Sequence, residues 1–203
     1  MPRYDAVGFD LLTALLDTLP LWRSAAGDDD TGTRWHTANQ RLLRGKPYRA
    51  FDDLVHESAK EVGLGRTHAT TLLSRWGEAE PWPDTRRALI SLGDTPRFIV
   101  TNCSQKLGER AAKQAGEFAF VMTAEQAGAY KPDPRPYRAA LTAMGVEARR
   151  VLFVAGSSHD VGGAKRAGMD VYWANRLGAP PPEDAAPLVH APDLGKLAAL
   201  LDG

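Results

Sequence analysis

Three short apolar runs restrict the fold of this chain most tightly: YDAVGF at Tyr4–Phe9, RFIVT at Arg97–Thr101 and RVLFVA at Arg150–Ala155. Each is rich in Val, Phe or Ile and stops at small or polar residues. Runs of this kind, with helical patterns between them, fit parallel strands buried on both faces. FAFVM at Phe118–Met122 and VYW at Val171–Trp173 are weaker strand candidates. Helical stretches are read at Lys106–Ala115, Pro136–Met144 and Val161–Ala167, with Ser104 as an N-cap and Gly116, Gly145 and Gly168 as stops. The alternation predicts an α/β fold, a doubly wound parallel sheet.

The stretch from Thr13 to Pro83 departs from this alternation. It holds Trp22, Trp35, Trp76 and Trp82, amphipathic segments such as Phe51–Val62, and no convincing strand. The chain is therefore expected to leave the sheet after its first strand, build a small helical cap over residues 14–83, and return. Residues 1–13 and 84–203 would form the core domain. The four Trp are expected to pack that helical unit. Asp28–Asp30 reads as a solvated turn, Gly178–Pro192 as a surface loop, and residues 193–201 as a terminal amphipathic helix.

Composition narrows the function classes. The 203 residues carry 25 Lys plus Arg against 25 Asp plus Glu, a formal net charge of zero that argues against a dedicated nucleic-acid binder. A hydrophobic content of 43% is enough for a real core. One Cys excludes an intramolecular disulfide and a Cys-based zinc cage, so a reducing cytoplasm is the expected setting. No run approaches the roughly 20 apolar residues of a membrane span, and none near Met1 suits a signal peptide. A cytoplasmic protein with no membrane partner is the expectation.

In open α/β sheets ligands bind beyond the carboxyl ends of the strands, so the residues after each run matter most. Asp10 follows the first. Thr101, Asn102, Cys103 and Ser104 follow the second. Lys131 stands in YKPDPRPY, and Gly156, Ser157, Ser158, His159 and Asp160 follow the RVLFVA run. An acid, a hydroxyl–amide pair, a lysine and a second acid would converge on one sheet edge. Cys103 reads as a packed thiol, His159 as a loop residue, and Gly162 and Gly163 as aids to close helix–strand packing.

This constellation resembles the haloacid dehalogenase-like hydrolase superfamily across nearly the whole chain. Asp10 falls at the nucleophile of its first motif, Thr101 and Asn102 at its second, Lys131 at its third, and Asp160, in VLFVAGSSHDVGGAKRAGM, at the final acid of its fourth. The resemblance implies a helical cap inserted after the first strand. The superfamily's phosphatases use Mg²⁺, a second Asp two positions after the nucleophile, and an acid four positions before the last one. Here those places hold Leu12 and Gly156, which can neither donate a proton nor ligate a metal through a side chain.

The metal-free branch is the 2-haloacid dehalogenases, which the chain also resembles at Tyr137, six positions after Lys131, and in YWANRLG. That resemblance implies a short carboxylic acid as substrate and no cofactor. Asp10 would displace halide from C2 and form an ester, which water then hydrolyses. Lys131 would keep Asp10 ionised, Asp160 would orient or deprotonate the water, and Thr101 and Asn102 would hold the substrate carboxylate. Arg34 is the expected halide-receiving arginine of the cap, with Arg23 second. Ser157 and Tyr137 complete the expected substrate-binding set. The family pattern departs at Leu11-Leu12-Thr13-Ala14 and at Ala155-Gly156-Ser157, where Ser157 partly replaces an Asn. Two other readings stand beside this one: a divergent Mg²⁺-dependent phosphatase, and a silent member binding a small acid or a protein. Relatives of this kind often form homodimers, but no apolar stripe identifies an interface.

Overall fold

The computed structural model describes residues 3–44, 47–183 and 185–201. The chain runs β1 (Ala6–Phe9), β2 (Leu16–Asp17), α1 (Leu19–Ala26), α2 (Asp29–Leu42), α3 (Phe51–Glu61), α4 (Arg66–Ser74), β3 (Glu80–Pro81), α5 (Thr85–Ser91) and β4 (Arg97–Thr101). It continues through α6 (Gln105–Ala115), β5 (Phe120–Thr123), α7 (Ala124–Ala127), α8 (Pro134–Met144), β6 (Val151–Ala155), α9 (Ser158–Arg166), β7 (Asp170–Ala174) and β8 (Val189–Ala191). Six strands pair in the order β5-β4-β1-β6-β7-β8, and every pairing is parallel. No helix among the described residues is long and apolar enough to cross a membrane.

Alternation along each strand sends side chains into two apolar layers. Val7, Phe9, Ile99, Leu152, Val154 and Tyr172 face one layer, closed by α5 and α6 through Ala88, Leu89, Leu107 and Ala111. Phe98, Val100, Val151, Phe153, Val171 and Trp173 face the other, closed by α8 and α9 through Tyr137, Ala140, Val161 and Ala164. With helices on both faces, the runs are apolar at consecutive positions, which is why they stood out in the sequence.

Helices α1 to α4 form an insert between β1 and β4, built around an aromatic cluster. Trp22 meets Trp35 and Trp76 edge-on, with ring centroids 5.0 and 5.9 Å apart, and Phe51 meets Trp76 at 5.5 Å. The Trp35 indole N–H donates to the Val55 carbonyl at 3.2 Å and to Ser58 Oγ at 3.0 Å. Trp82 does not join this cluster, contrary to expectation. It sits where the chain leaves the insert, its Nε1 donating to the Thr13 carbonyl at 2.8 Å.

Several boundaries differ from the sequence expectation for identifiable reasons. The insert does contain strand, because β2 and β3 pair antiparallel as a two-residue ribbon where the chain leaves and rejoins the core. Asp28–Asp30 is a helix start: the Asp28 side chain accepts from Thr31 N, and Asp29 and Asp30 lie in the first turn of α2. Ser104 flanks α6 without capping it, its hydroxyl donating to Asp52 instead. The region 178–192 includes the edge strand β8, and residues 193–201 hold only a 3₁₀ turn at Ala198–Leu200. Leu194 and Leu197 still dock on the core, so the apolar residues were read correctly but the helix was not. Asp184 of the loop lies outside the described residues. Gly163 makes room for a helix rather than a strand, since a Cβ there would lie 2.6 Å from the Tyr137 hydroxyl on α8.

The crossing of α1 and α2 requires Gly32, where an added Cβ would stand 2.4 Å from Arg23 Cα and 2.7 Å from Arg23 N. The obstacle is backbone, which cannot swing aside as a side chain can. Gly32→Ala is expected to destabilise the protein by about 1–3 kcal/mol through overpacking. Urea unfolding checks this, and an unchanged midpoint would show that the two helices separate freely.

Candidate active site

Because the strands of the six-stranded sheet are all parallel, the loops after β1, β4, β6 and β7, together with the segment 130–133 after α7, open on one edge. The structure brings Asp10, Lys131 and Asp160 together there, each only 5% exposed. Lys131 Nζ donates to Asp10 Oδ1 at 2.7 Å and to Asp160 Oδ2 at 3.1 Å. The other Asp10 oxygen, Oδ2, accepts the backbone N–H of Thr13 at 3.1 Å and of Ala14 at 3.2 Å. The other Asp160 oxygen, Oδ1, accepts the Tyr137 hydroxyl at 2.8 Å. Both carboxylates are held at both oxygens.

Burial pulls the Lys131 ammonium down, but the charges and hydrogen bonds of Asp10 and Asp160 more than offset it, leaving the amine above its usual range. Burial pushes the Asp160 carboxyl up. The Lys131 charge opposes that, Asp10 reinforces it, and the hydrogen bonds from Tyr137 and Lys131 do not restore the ordinary value.

Local sequence explains the placement. Asp10 follows β1 directly, and the turn 11–15 folds back so that its N–H groups meet the carboxylate, with Leu15 N and Leu16 N both donating to the Leu11 carbonyl. Asn102, on the cavity wall, holds the lysine segment: its Oδ1 accepts Lys131 N at 2.7 Å and its Nδ2 donates to Lys131 O at 3.2 Å. Ser157 caps α9, its Oγ accepting Asp160 N at 3.3 Å. That bond fixes the first turn of the helix carrying Asp160.

A cavity of about 280 Å³ opens over this group, walled by Asp10, Leu12, Thr13, Asn102, Lys131, Ser157, Asp160, Asn175, Leu177 and Ala179 from the core, and by His36, Gln40, Leu43 and Arg44 from the insert. Four sequence expectations change here. Arg34 is off the wall, on the outer face of α2, where its Nε donates to Asp30 at 3.0 Å. The reason is helical register: His36, Gln40 and Leu43 recur at the spacing of one face, and Arg34 lies two residues off it. Arg23 is away from the cavity too, bonded to Thr33. Thr101 is fully buried, with its methyl turned toward Gly108 of α6. Tyr137 is also fully buried and reaches Asp160 from beneath, so it supports the acid and does not line the cavity.

The sequence reading passed over Arg44, His36 and Asn175. Arg44 brings a guanidinium to the wall and has no ion-pair partner among the described residues. Burial lowers the His36 imidazole to about 4, so the ring is neutral near pH 7. His36 was legible as part of the i, i+4 face with Gln40, had that face been assigned to the cavity. Asn175 bridges its own loop, donating to Ala179 O and accepting Ala179 N, both at 2.8 Å. His159 lines the cavity, its pKa lowered by burial and by the Arg44 charge. Cys103 is a packed thiol, pushed up to about 12 by burial.

The site's donors can be tested against a hard octahedral cation. Among the described residues no three His, Cys, Asp or Glu side chains gather to hold a metal. Gly156 leaves no space for an acid, since a Cβ there would stand 2.5 Å from both Asp10 Oδ2 and Ala14 N. The Lys131 ammonium stands between the two carboxylates, leaving Asp10 and Asp160 as the only acids at this point among the described residues, a sparse donor set for Mg²⁺.

The lysine's raised pKa sets a sign for stability. Its contribution is fully present below about pH 10.5, the unfolded value, and is lost as pH climbs through the folded one. Lys131→Met leaves two buried carboxylates facing each other and is expected to cost about 3–5 kcal/mol near pH 7. The deficit should shrink on acidification, as protonation of Asp160 removes one charge. Urea unfolding at pH 7 and pH 5 measures this, and a deficit that grows toward pH 5 would contradict it.

Residues 8–168 match the family model of haloacid dehalogenase-like hydrolases. The chain is 31% identical over 164 residues to (S)-2-haloacid dehalogenase H-109 of Pseudomonas putida, covering 74% of this chain and 72% of that one. It is 32% identical over 166 residues to a phosphatase of Mycobacterium tuberculosis, covering 75% and 71%. In fold it is similar to the L-2-haloacid dehalogenase of Xanthobacter autotrophicus, with a TM-score of 0.88, 22% identity, and coverage of 98% and 99%. With its parallel sheet and its aspartate–lysine–aspartate centre, the chain belongs to the haloacid dehalogenase-like hydrolase family.

Proposed function

We propose that this chain is a metal-independent hydrolase that releases halide from a small 2-halo acid, with Asp10 as nucleophile and residues 14–83 as its cap. The observation that carries this reading is the Lys131 ammonium bridging two buried carboxylates at 2.7 and 3.1 Å, beside a Gly156 with no room for a further acid. A carboxylate attacking carbon needs no neutralisation of a phosphate dianion, and the Lys131 ammonium holds one oxygen of that carboxylate at 2.7 Å. The similarity to a phosphatase is set against Leu12 and Gly156, which stand where the superfamily's phosphatases carry their two further acids.

In this reading the Asp10 carboxylate displaces halide from C2, forming an ester as the carbon–halogen bond breaks. Water then attacks the Asp10 carbonyl carbon, Asp160 takes its proton, and the hydroxy acid departs with Asp10 regenerated. The Thr13 and Ala14 N–H groups at Asp10 Oδ2 steady the oxygen that carries charge during hydrolysis. Arg44, and not Arg34, is the arginine assigned to the substrate's anionic groups, since it lines the cavity. Leu12, Leu43 and Leu177 give an apolar wall for the carbon chain. The substrate is a short carboxylic acid, no cofactor is required, and the cytoplasm is the proposed location.

Halide release from 2-chloro- or 2-bromopropionate tests the reading. Release is expected to persist in EDTA and to fall at least ~10³-fold in Asp10→Asn, as for loss of a nucleophile acting with its base. Phosphate-ester hydrolysis that appears only with added Mg²⁺, without halide release, would overturn it. Tyr137→Phe removes a hydrogen bond that opposes the raised pKa of Asp160. The acid limb of the pH–rate profile is therefore expected to move to higher pH, and a move to lower pH would contradict the base role of Asp160.

A further inference from the structure

The N–H groups that hold Asp10 Oδ2 belong to peptides whose far sides are also gripped. A peptide unit is a rigid plane, so the Thr13 carbonyl and the Ala14 N–H turn together. Ala14 N–H donates to Asp10 Oδ2 at 3.2 Å, and the Thr13 carbonyl accepts Trp82 Nε1–H at 2.8 Å. One planar group thus runs from the Trp82 indole to the Asp10 carboxylate. The next two carbonyls are held as well. Ala14 O accepts Arg176 Nη2 at 3.0 Å, and Leu15 O accepts Thr85 Oγ1 at 2.8 Å and Trp82 N at 3.0 Å.

Arg176 is itself fixed on three sides. Its guanidinium lies 5.4 Å from the centroid of the Trp82 ring, and its Nη1 donates to Asp84 Oδ1 at 2.8 Å, the side chains being 5% and 15% exposed. Asp84 Oδ2 accepts Leu194 N at 2.7 Å. Burial alone would raise the Asp84 carboxyl, but the Leu194 N–H and the guanidinium hold it below its usual range, so the pair is charged near neutral pH. Trp82, Asp84 and Thr85 all belong to the segment where the chain returns from the insert to the core.

We infer that Trp82 is a positioning residue for the nucleophile, acting through the Thr13–Ala14 peptide, with Arg176 and Asp84 holding the indole and the adjoining carbonyl in place. It touches no substrate. Its effect is to keep an N–H aimed at Asp10 Oδ2 both before attack and when charge returns to that oxygen. Because the grip comes from the return segment of the insert, the seating of the insert and the orientation of Asp10 are mechanically linked. The inference rests on the proposed role of Asp10, but its structural part can be read without any turnover.

Trp82→Phe keeps a ring under Arg176 and removes only the indole donor. Trp35→Phe is the control, deleting an indole donor that bonds Val55 O and Ser58 Oγ inside the insert. Both variants should lower the unfolding midpoint. Only Trp82→Phe is expected to lower kcat on a 2-halo acid, by about 10-fold with KM within about twofold, since small misplacements of a reacting group cost rate rather than binding. It is also expected to speed amide exchange at Ala14 by about 10-fold, with β6 unchanged. Wild-type kcat in Trp82→Phe, or a loss matched by Trp35→Phe, overturns the inference. So does unchanged exchange at Ala14. If the wild-type protein releases no halide from any 2-halo acid, the proposed function fails, and exchange at Ala14 alone decides whether the indole holds that peptide.

Discussion

An ammonium group held between two carboxylates in a nearly closed space is the interaction on which the rest of the site depends. Lys131, Asp10 and Asp160 come from three separate loops, and each would be strongly unfavourable there without the others. Two carboxylates share one cation, so the group keeps an excess negative charge. Burial first, and the neighbouring Asp10 charge after it, raise the pKa of Asp160 against the pull of Lys131. The surroundings then become intelligible as ways of sharing that excess. Two backbone N–H groups meet the free oxygen of Asp10, and a tyrosine hydroxyl meets that of Asp160. Asn102 secures the backbone of the lysine by both ends of its amide.

The parallel sheet makes such a meeting feasible. Its strands deliver Asp10 and Asp160 on neighbouring strands, β1 and β6, while Lys131 arrives by a longer path after β5. The helical insert contributes no charged group to the bridge itself. It closes the cavity with one face of α2 and anchors the turn after β1 through the segment that follows β3.

Much of this was legible before any coordinates. The strands were visible because burial on both faces makes a run apolar at every position, and β4 coincides with RFIVT residue for residue. Asp10 and Asp160 were legible because each stands just past an apolar run, and Lys131 because it stands in YKPDPRPY, at the end of the longer excursion after β5. The parts that were missed share a cause. Strand β8 and the β2–β3 ribbon are two or three residues long, too short for periodicity to register, and are defined by their partners. Arg34 and Arg23 were expected at the cavity and Arg44 was passed over, because sequence shows that a helix has faces, not which one meets the core. Thr101 and Tyr137 sit at the right places in the chain, but their side chains point away from the cavity, a matter of strand and helix register against distant neighbours.

Gly156 carries a consequence beyond its own contact. An acid at that place is the expected mark of the metal-using relatives, yet here even a methyl group would collide with Asp10 and with the backbone of Ala14. No acid could enter at position 156 without first moving the turn that holds Asp10. The two chemistries of this fold are therefore separated, in this chain, by excluded volume. A path from one to the other has to rebuild the β1 turn and the residue after β6 together, and each change made alone spoils the site that exists.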